Sequence, residues 1–362
     1  MKIITILGTR PEIIRLSLIL KKMKQAGIKN TIFYTGQNYS SKLSDIFFQE
    51  LNVKPNYFWN IKSKTVGQQI AKILENTEKI LLKEKPNYLL VLGDTNSALS
   101  AIIAARYNIP VIHLEAGNRC YDWRVPEEKN RIIIDHMSSY LLPYTIGSKN
   151  NLIKEGINPK SIYISGNPIL EVLNTYAPKI SDSSILDKLN LDVGSYFLVT
   201  LHREENVDNP KVFKIIIEGL NSIAKQYGKP IIWSVHPRTK KRLEKMHIKL
   251  LSQISLYKPF NLFDFVKLEK NALCVLTDSG TVQEECSLFH IPTVTIRNTT
   301  ERPETVVCGS NILSGTNNSK NILKMVKVML KRNKNWISPY VKDTNVSNKV
   351  VKYLLNLEKN IK

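Results

Sequence analysis

The chain has 362 residues, too many for one ordinary core and enough for two domains of roughly 150–200 residues each. A hydrophobic content of 43% excludes a disordered chain, while a net charge of +21 raises the question of a nucleic-acid partner. The lysines lie along predicted helix faces ("LKKMKQ", "LLKEK", "MVKVMLKRNK"), with no basic tail and no helix-turn-helix or RNA-binding signature, so nucleic acid is not expected and the charge reads as a solvated surface that draws anionic ligands.

Strand-like runs alternate with amphipathic helical runs from end to end. The first series of strands is Ile3–Leu7, Asn30–Tyr34, Tyr88–Leu92, Val111–Leu114 and Tyr163–Ser165. The second is Tyr196–Thr200, Ile231–Val235, Leu273–Leu276 and Thr293–Ile296. Helical patterns lie between them, such as Pro11–Gln25, Thr65–Lys83, Asn96–Arg106 and Pro210–Gln226. Continuous apolar strands alternating with helices predict an α/β protein of parallel sheets covered on both faces. A polar, loop-like break at "NTYAPKISDSS", Asn174 to Ser184, separates the two series, with the linker close to Pro168–Ser184. This divides the chain into 1–170, 171–345 and a last helical segment, 346–362, that could pack back on the first domain. Two doubly wound domains follow, with ligands expected at the carboxyl ends of the strands, in a cleft between them.

No apolar run reaches the ~18 residues of a membrane span, so membrane insertion is not expected. The start, "MKIITILGTRPE", lacks a small-residue cleavage site and reads as a first strand. Four cysteines form no C-x-x-C pair and six histidines show no metal spacing. Free thiols in a reducing cytosol and no bound metal are the expectation.

The informative residues stand just after strands. In "LGTRPEIIR", Leu7 to Arg15, Gly8 permits a tight turn and Pro11 suits a first helical position. Exposed N–H groups with Arg10 would make an anion site, and an ordinary βα turn is the plainer alternative. It is not the dinucleotide fingerprint, so NAD is not implied. Asp94 in "VLGDTNSA" reads either as an N-cap or as a functional carboxylate. "HLEAGNRCYDWRVPEEKNR", His113 to Arg131, places Glu115 after a buried strand and Glu127 in a helical first turn that leads to Arg131. Asp94, Glu115 and Glu127 crowded together would separate acid from base by raising at least one pKa.

In the second half, "LVTLHREENVDNP" presents His202 and Arg203 at a strand end, and "VHPR", Val235 to Arg238, repeats the arrangement. "LTDSGTVQEECS", Leu276 to Ser287, runs a strand through Ser279 and Gly280 into a helix, a cradle for a diphosphate. Glu285 lies one turn in, placed to accept from a ribose diol, and "NTTERPE" adds Arg302. A capped helix start with a solvated carboxylate pair is the plainer alternative.

With "GTRPE", "TGQ" (Thr35 to Gln37), "GDT", "EAG", "PEE-x-NR", "HR-E-N", "DSG-x-x-QEE" and "ERPE" in this order across residues 3–315, the chain resembles the non-hydrolysing UDP-N-acetylglucosamine 2-epimerases. The resemblance implies two Rossmann-like domains facing a cleft, in the glycosyltransferase-B-like arrangement. It implies removal of the C2 proton, expulsion of UDP from C1, and re-addition with protonation of the opposite face. Asp94, Glu115 and Glu127 are then the acid/base candidates. By the same resemblance, Arg10, Arg15, His202, Arg203, Ser279, Gly280, Thr281, Glu285 and Arg302 would hold the UDP-sugar. No cofactor is required, since elimination needs proton transfer and phosphate stabilisation only. A homodimer is expected by analogy with the family.

Three positions depart from the commonest family pattern: Arg15 for a lysine, Asn118 for a leucine and Asn38 for a histidine. These resemble a branch acting on UDP-2-acetamido-2,6-dideoxy-hexoses, whereas the second half looks more like the UDP-N-acetylglucosamine enzymes. The alternatives carried forward are a 2-epimerase of such a 6-deoxy sugar, a hydrolysing 2-epimerase, a glycosyltransferase of the same fold, and a nucleotide-sugar sensor without chemistry.

Overall fold

A computed structural model describes residues 1–36, 41–61 and 63–359. Gln37 and Asn38 of the "TGQN" stretch lie outside the described residues. The chain divides into two compact units, Met1–Leu173 with Asp343–Lys362, and Asn174–Lys342.

The first unit is built on six strands: β1 (Lys2–Leu7), β2 (Lys29–Tyr34), β3 (Tyr57–Phe58), β4 (Tyr88–Leu92), β5 (Val111–Leu114) and β6 (Tyr140–Leu142). They pair in parallel in the order β3-β2-β1-β4-β5-β6. The direction of winding reverses between β1 and β4, and such a switch point opens a crevice at the carboxyl ends of the strands. Register places Leu92 opposite Leu114, so the chain leaves β4 and β5 side by side.

The second unit repeats the plan with β7 (Phe197–Thr200), β8 (Ile231–Ser234), β9 (Ile254–Tyr257), β10 (Cys274–Thr277), β11 (Thr293–Thr295) and β12 (Asn311–Leu313). Their order is β12-β11-β10-β7-β8-β9, with the reversal between β7 and β10. Thr200 stands opposite Thr277, so the turns after these two strands are neighbours. Both sheets are parallel throughout, and β4, β5, β8 and β10 are buried along their whole lengths. Their unbroken apolar runs follow from helices covering both faces.

Four strands carry no clear signal in the sequence: β3, β6, β9 and β12. They are the four outer strands of the two sheets. They run for only two to four residues, and β3 is exposed at both positions. Edge strands are kept short and half-solvated, which erases the apolar run that betrays a central strand. Tyr163–Ser165, expected as a strand, is not one. It runs beside β6 through a single bridge, Leu141 to Ile162, and two further N–H bonds. Gly166, with φ of 86°, turns the chain before a ladder can form.

The stretch expected to be a loop, Asn174–Ser184, is largely helical: Ile169–Thr175 and Ala177–Ser181 flank Tyr176. Pro178 sits in the first turn of the second helix and Ile180 is buried, so local burial overrides a polar composition. The last helix, Val346–Lys359, belongs to the first unit, where the Ser347 N–H donates to Glu171 at 2.7 Å. Tyr353 of this helix stacks on Tyr163 with ring centroids 4.5 Å apart.

Candidate active site

In the first unit, Thr9 caps the helix Arg10–Gln25, with Pro11 in its first turn. Glu12 completes a capping box. Its Oε2 accepts from the Gly8 N–H (3.1 Å), the Thr9 N–H (2.7 Å) and the Thr9 hydroxyl (2.7 Å), and Oε1 from the Thr95 hydroxyl (3.2 Å). Burial pushes the Glu12 carboxyl up to about 7, against the pull of these four bonds. The anion site expected from exposed N–H groups here is therefore already occupied by the chain's own carboxylate. Arg10 lies half-buried over the Phe47 ring, 5.5 Å from its centroid.

Asp94 follows Gly93, whose φ is 71°. It does not cap the next helical turn, where Thr95 holds the N-cap position. Instead its carboxylate forms an ion pair with Arg131, which is 1% exposed. Arg131 also donates to Glu128 at 2.8 Å, one turn back on the helix Pro126–Met137. Glu128 in turn accepts the N–H groups of Cys120 (3.0 Å) and Tyr121 (2.8 Å), so this carboxylate pins the loop after β5. Asn130 bonds the Asp94 carbonyl at 2.9 Å.

Glu115 leaves β5 with φ of 69°, a left-handed backbone that costs a non-glycine residue about 1–2 kcal/mol. Such strain persists only where the surroundings over-determine it. Here the carboxylate, 5% exposed, is ion-paired with Arg15. It lies beside Gly93: a β-carbon there would come 3.9 Å from Glu115 Oε1. Asp94 and Glu115 thus follow neighbouring strand ends, and each is ion-paired with a buried guanidinium, Asp94 with Arg131 and Glu115 with Arg15. Glu127 is half-buried in the first turn of the helix that carries Glu128 and Arg131.

In the second unit, Asp278 ends β10, fully buried. It accepts the backbone N–H groups of His202 (3.0 Å) and Arg203 (2.9 Å) and the Asn206 side-chain amide (3.2 Å). One carboxylate therefore shapes the turn after β7. His202 keeps 41% of its side chain exposed, with its ring centroid 6.2 Å from that of His236. The two His/Arg sets are neighbours through their histidines. Arg238 is drawn off by Glu204 (2.8 Å) and Asp208 (3.1 Å).

Ser279 is the N-cap of the helix Gly280–Phe289, and its side chain makes no capping bond. Thr281 follows in the first turn, half-buried. A β-carbon on Gly280 would meet Glu301 Oε1 at 2.7 Å and the Arg302 guanidinium at 3.7 Å, so a larger residue would have to displace the Glu301 carboxylate. Glu301 bonds Arg203 (2.9 Å) and Arg297 (2.7 Å). Arg302, 3% exposed, is ion-paired with the fully buried Glu284. Glu285 is also buried and lies beside the Glu269 carboxyl. Burial, and then the neighbouring Glu285, push Glu269 well above the ordinary carboxyl range. The solvated carboxylate pair allowed for by sequence is thus two buried groups with separate partners.

Arg131, Glu128, Glu12, Asp278 and Glu301 have supporting parts that sequence reasoning did not assign. A signal existed for one pair: Glu128 and Arg131 are spaced i, i+3 on a helix. Among the described residues, no cluster of three His, Cys, Asp or Glu side chains could hold a metal ion. None of the described helices is long and apolar enough to cross a membrane.

Residues 21–355 match the family model described as UDP-N-acetylglucosamine 2-epimerase. The chain belongs to this 2-epimerase family. It is 45% identical to the UDP-N-acetylglucosamine 2-epimerase of Methanocaldococcus jannaschii, over 94% of this chain and 95% of that one. It is 37% identical to the UDP-2,3-diacetamido-2,3-dideoxy-D-glucuronate 2-epimerase of Pseudomonas aeruginosa, over 87% and 88% of the two chains. Among solved 2-epimerases, the M. jannaschii enzyme in complex with UDP-GlcNAc and UDP superposes with a TM-score of 0.94, at 44% identity over 98% of this chain and all of that one.

Proposed function

We propose that this 2-epimerase interconverts UDP-GlcNAc and UDP-ManNAc without hydrolysis. A carboxylate takes the proton from C2, and the electron pair of that C–H bond forms the C1–C2 double bond. The C1–O bond breaks and its electron pair leaves with UDP. The products, a 2-acetamidoglucal and UDP, remain bound. UDP oxygen then attacks C1 while a carboxylic acid protonates C2 from the opposite face. Atoms and charge balance, and nothing is oxidised or reduced.

The observation that carries this reading is the pair of carboxylates, Asp94 and Glu115, at adjacent strand ends, each with its own buried arginine. Two acid/base groups held separately suit a reaction that removes a proton from one face and returns one to the other. Glu127 is the third candidate. Arg15 then acts through Glu115 as well as toward the sugar. In the second unit, His202, Arg203, Ser279, Gly280, Thr281, Glu285 and Arg302 are proposed to hold the uridine diphosphate, with Arg10 of the first unit as a further phosphate contact. The arginines around the helix start at Gly280 supply the charge that a leaving diphosphate requires.

The cytoplasm is the proposed location. Four free cysteines, three of them buried, suit a reducing compartment. A homodimer, and a role in supplying precursors of cell-surface polysaccharide, are proposed on the family's example alone.

The test is incubation of the full chain with UDP-GlcNAc. UDP-ManNAc is expected. Free ManNAc with UDP would make it a hydrolysing enzyme, and no change would leave a binding protein. UDP-2-acetamido-2,6-dideoxy-hexoses, assayed in parallel, decide whether Arg15 and Asn118 mark a different sugar.

A further inference from the structure

His113 lies in β5, two positions before Glu115, with no exposed surface. Its Nε2 is 2.8 Å from the carbonyl oxygen of Gly93, and its Nδ1 is 2.7 Å from Asp135 Oδ1. A carbonyl only accepts, so Nε2 carries a hydrogen. Turning the ring over would set carbon atoms against both oxygens and forfeit both bonds.

Asp135 is also an acceptor. It takes the Gly117 N–H at 3.1 Å and pairs with Arg119 at 2.8 Å. Burial pushes its carboxyl up, but His113 and Arg119 outweigh that and hold it below its usual range. With the Gly117 N–H and the Arg119 guanidinium both directed at it, Asp135 is a carboxylate, and Nδ1, which faces it, carries a hydrogen too. The charges then balance: His113 and Arg119 against Asp135 and Glu155, which Arg119 grips at 2.8 and 2.6 Å. An unbalanced charge at this depth would be costly.

The bonds of this group reach either side of the catalytic candidates. Gly93 immediately precedes Asp94, and Gly117 follows Glu115 by two positions. Gly117 has φ of 75° and no room for a side chain, since a β-carbon would fall 2.7 Å from Leu152 Cγ. The turn after β5 is thus held from below by Asp135 and from the side by the helix Ile146–Lys154.

We propose that His113 is a positioning residue: donating from both ring nitrogens, it joins the end of β4 to Asp135 and so fixes Asp94 and Glu115 relative to each other. The proposal rests on the reading that these two carboxylates move the C2 proton. His113 touches no substrate in this scheme. Its contribution is the geometry that keeps Glu115 in a left-handed backbone with its carboxylate beside Gly93.

The experiment has two arms. In full-length protein labelled with ¹⁵N-histidine, the His113 ring should show both nitrogens protonated. A singly protonated ring would overturn the clamp whatever the activity. Next, His113→Gln and Asp135→Asn should each lower kcat and the rate of C2 hydrogen exchange in D₂O, on the order of 10²-fold, the scale of an ångström-sized misplacement. Calorimetric affinity for UDP should be unchanged. If His113→Gln fails to fold, Asp135→Asn and the wild-type spectrum still decide. Variants that lose thermal stability while exchanging C2 hydrogen at the parental rate would make His113 a core residue only. Glu115→Gln is the control: if it exchanges normally, the carboxylate reading has failed, and the doubly protonated ring stands or falls separately on the spectrum.

Discussion

Arg15 and Glu115 lie 100 positions apart in the chain and form an ion pair in which neither side chain is more than 5% exposed. Arg15 also lies against Tyr144, its guanidinium carbon 5.8 Å from the ring centroid. The residue expected to discriminate sugars is thus fastened to a candidate acid/base group. Removing one member of a buried pair strands the other charge, at a cost of about 3–5 kcal/mol. Arg15→Met should lose stability on that scale in denaturant titrations and lose at least about 10²-fold in kcat. Arg15→Lys keeps the charge but not the planar fork. It should be more stable than Arg15→Met and should alter the kcat/KM ratio between UDP-GlcNAc and a UDP-6-deoxy-hexosamine. A methionine variant with parental stability and rate would remove Glu115 from the argument.

Asn118, the second departure from the common family pattern, is buried, and its side-chain oxygen accepts from the Ser148 hydroxyl at 2.8 Å. It supports the loop rather than presenting itself at the surface. Asn118→Leu should therefore leave the ratio between the two sugars unchanged and lower kcat on both. A changed ratio would bring Asn118 into the sugar site.

The carboxylates themselves are tested by isotope. In D₂O, with no added cofactor, recovered substrate and product should both gain deuterium at C2. Asp94→Asn and Glu115→Gln should each cut kcat by at least about 10²-fold, the usual worth of a positioned acid or base. UDP affinity should survive, since its proposed site lies mostly in the second unit. Retention of the C2 proton in turned-over product would sink the elimination chemistry, and a fast variant would reassign its residue.

Glu12 gives a pH signature. Its carboxyl stands at about 7 in the folded chain, against an ordinary value of 4.5. Between those two values the folded state holds more of this proton than the unfolded state does. Stability from this group is complete below the lower value and is lost as pH rises through the upper one. The loss is at most about 3 kcal/mol. Melting curves of wild type and Glu12→Gln should converge or cross as pH rises over this window and run parallel outside it. Parallel curves throughout would mean that the four bonds to Glu12 keep it ionised, with burial the weaker influence.

The central strands were legible because burial on both faces leaves unbroken apolar runs, as in Tyr88–Leu92 and Val111–Leu114. The edges were not, because β3, β6, β9 and β12 are short and partly wet. For the site, the strand-end positions of Asp94, Glu115, His202 and Ser279 could be read from where the apolar runs stop. Their partners could not. Arg15 meets Glu115, and Asp278 meets His202, only after the sheets assemble, and no periodicity joins residues that far apart. The same blindness made "GTRPE" look like open donors, when Glu12 folds back on them within a single turn.

Glu284 and Arg302 decide how the helix start at Gly280 works. Glu284 is fully buried and Arg302 is 3% exposed, and they are ion-paired. Arg302 also lies against Gly280, close to where the proposed diphosphate would rest. Arg302→Ala therefore has two consequences that must be separated. It strands Glu284, which should cost about 3–5 kcal/mol of stability. It also removes a charged donor from the anion, worth about 1.5–3 kcal/mol of UDP affinity. The single variant cannot apportion them, but a double-mutant cycle can. Glu284→Leu with Arg302→Met replaces both charges by apolar groups and should recover most of the lost stability. UDP affinity, measured by calorimetry on the refolded pair, should stay low. Recovery of affinity together with stability would mean that Arg302 only holds the helix in place, and that the diphosphate is bound by Arg203, Ser279 and the backbone at Gly280.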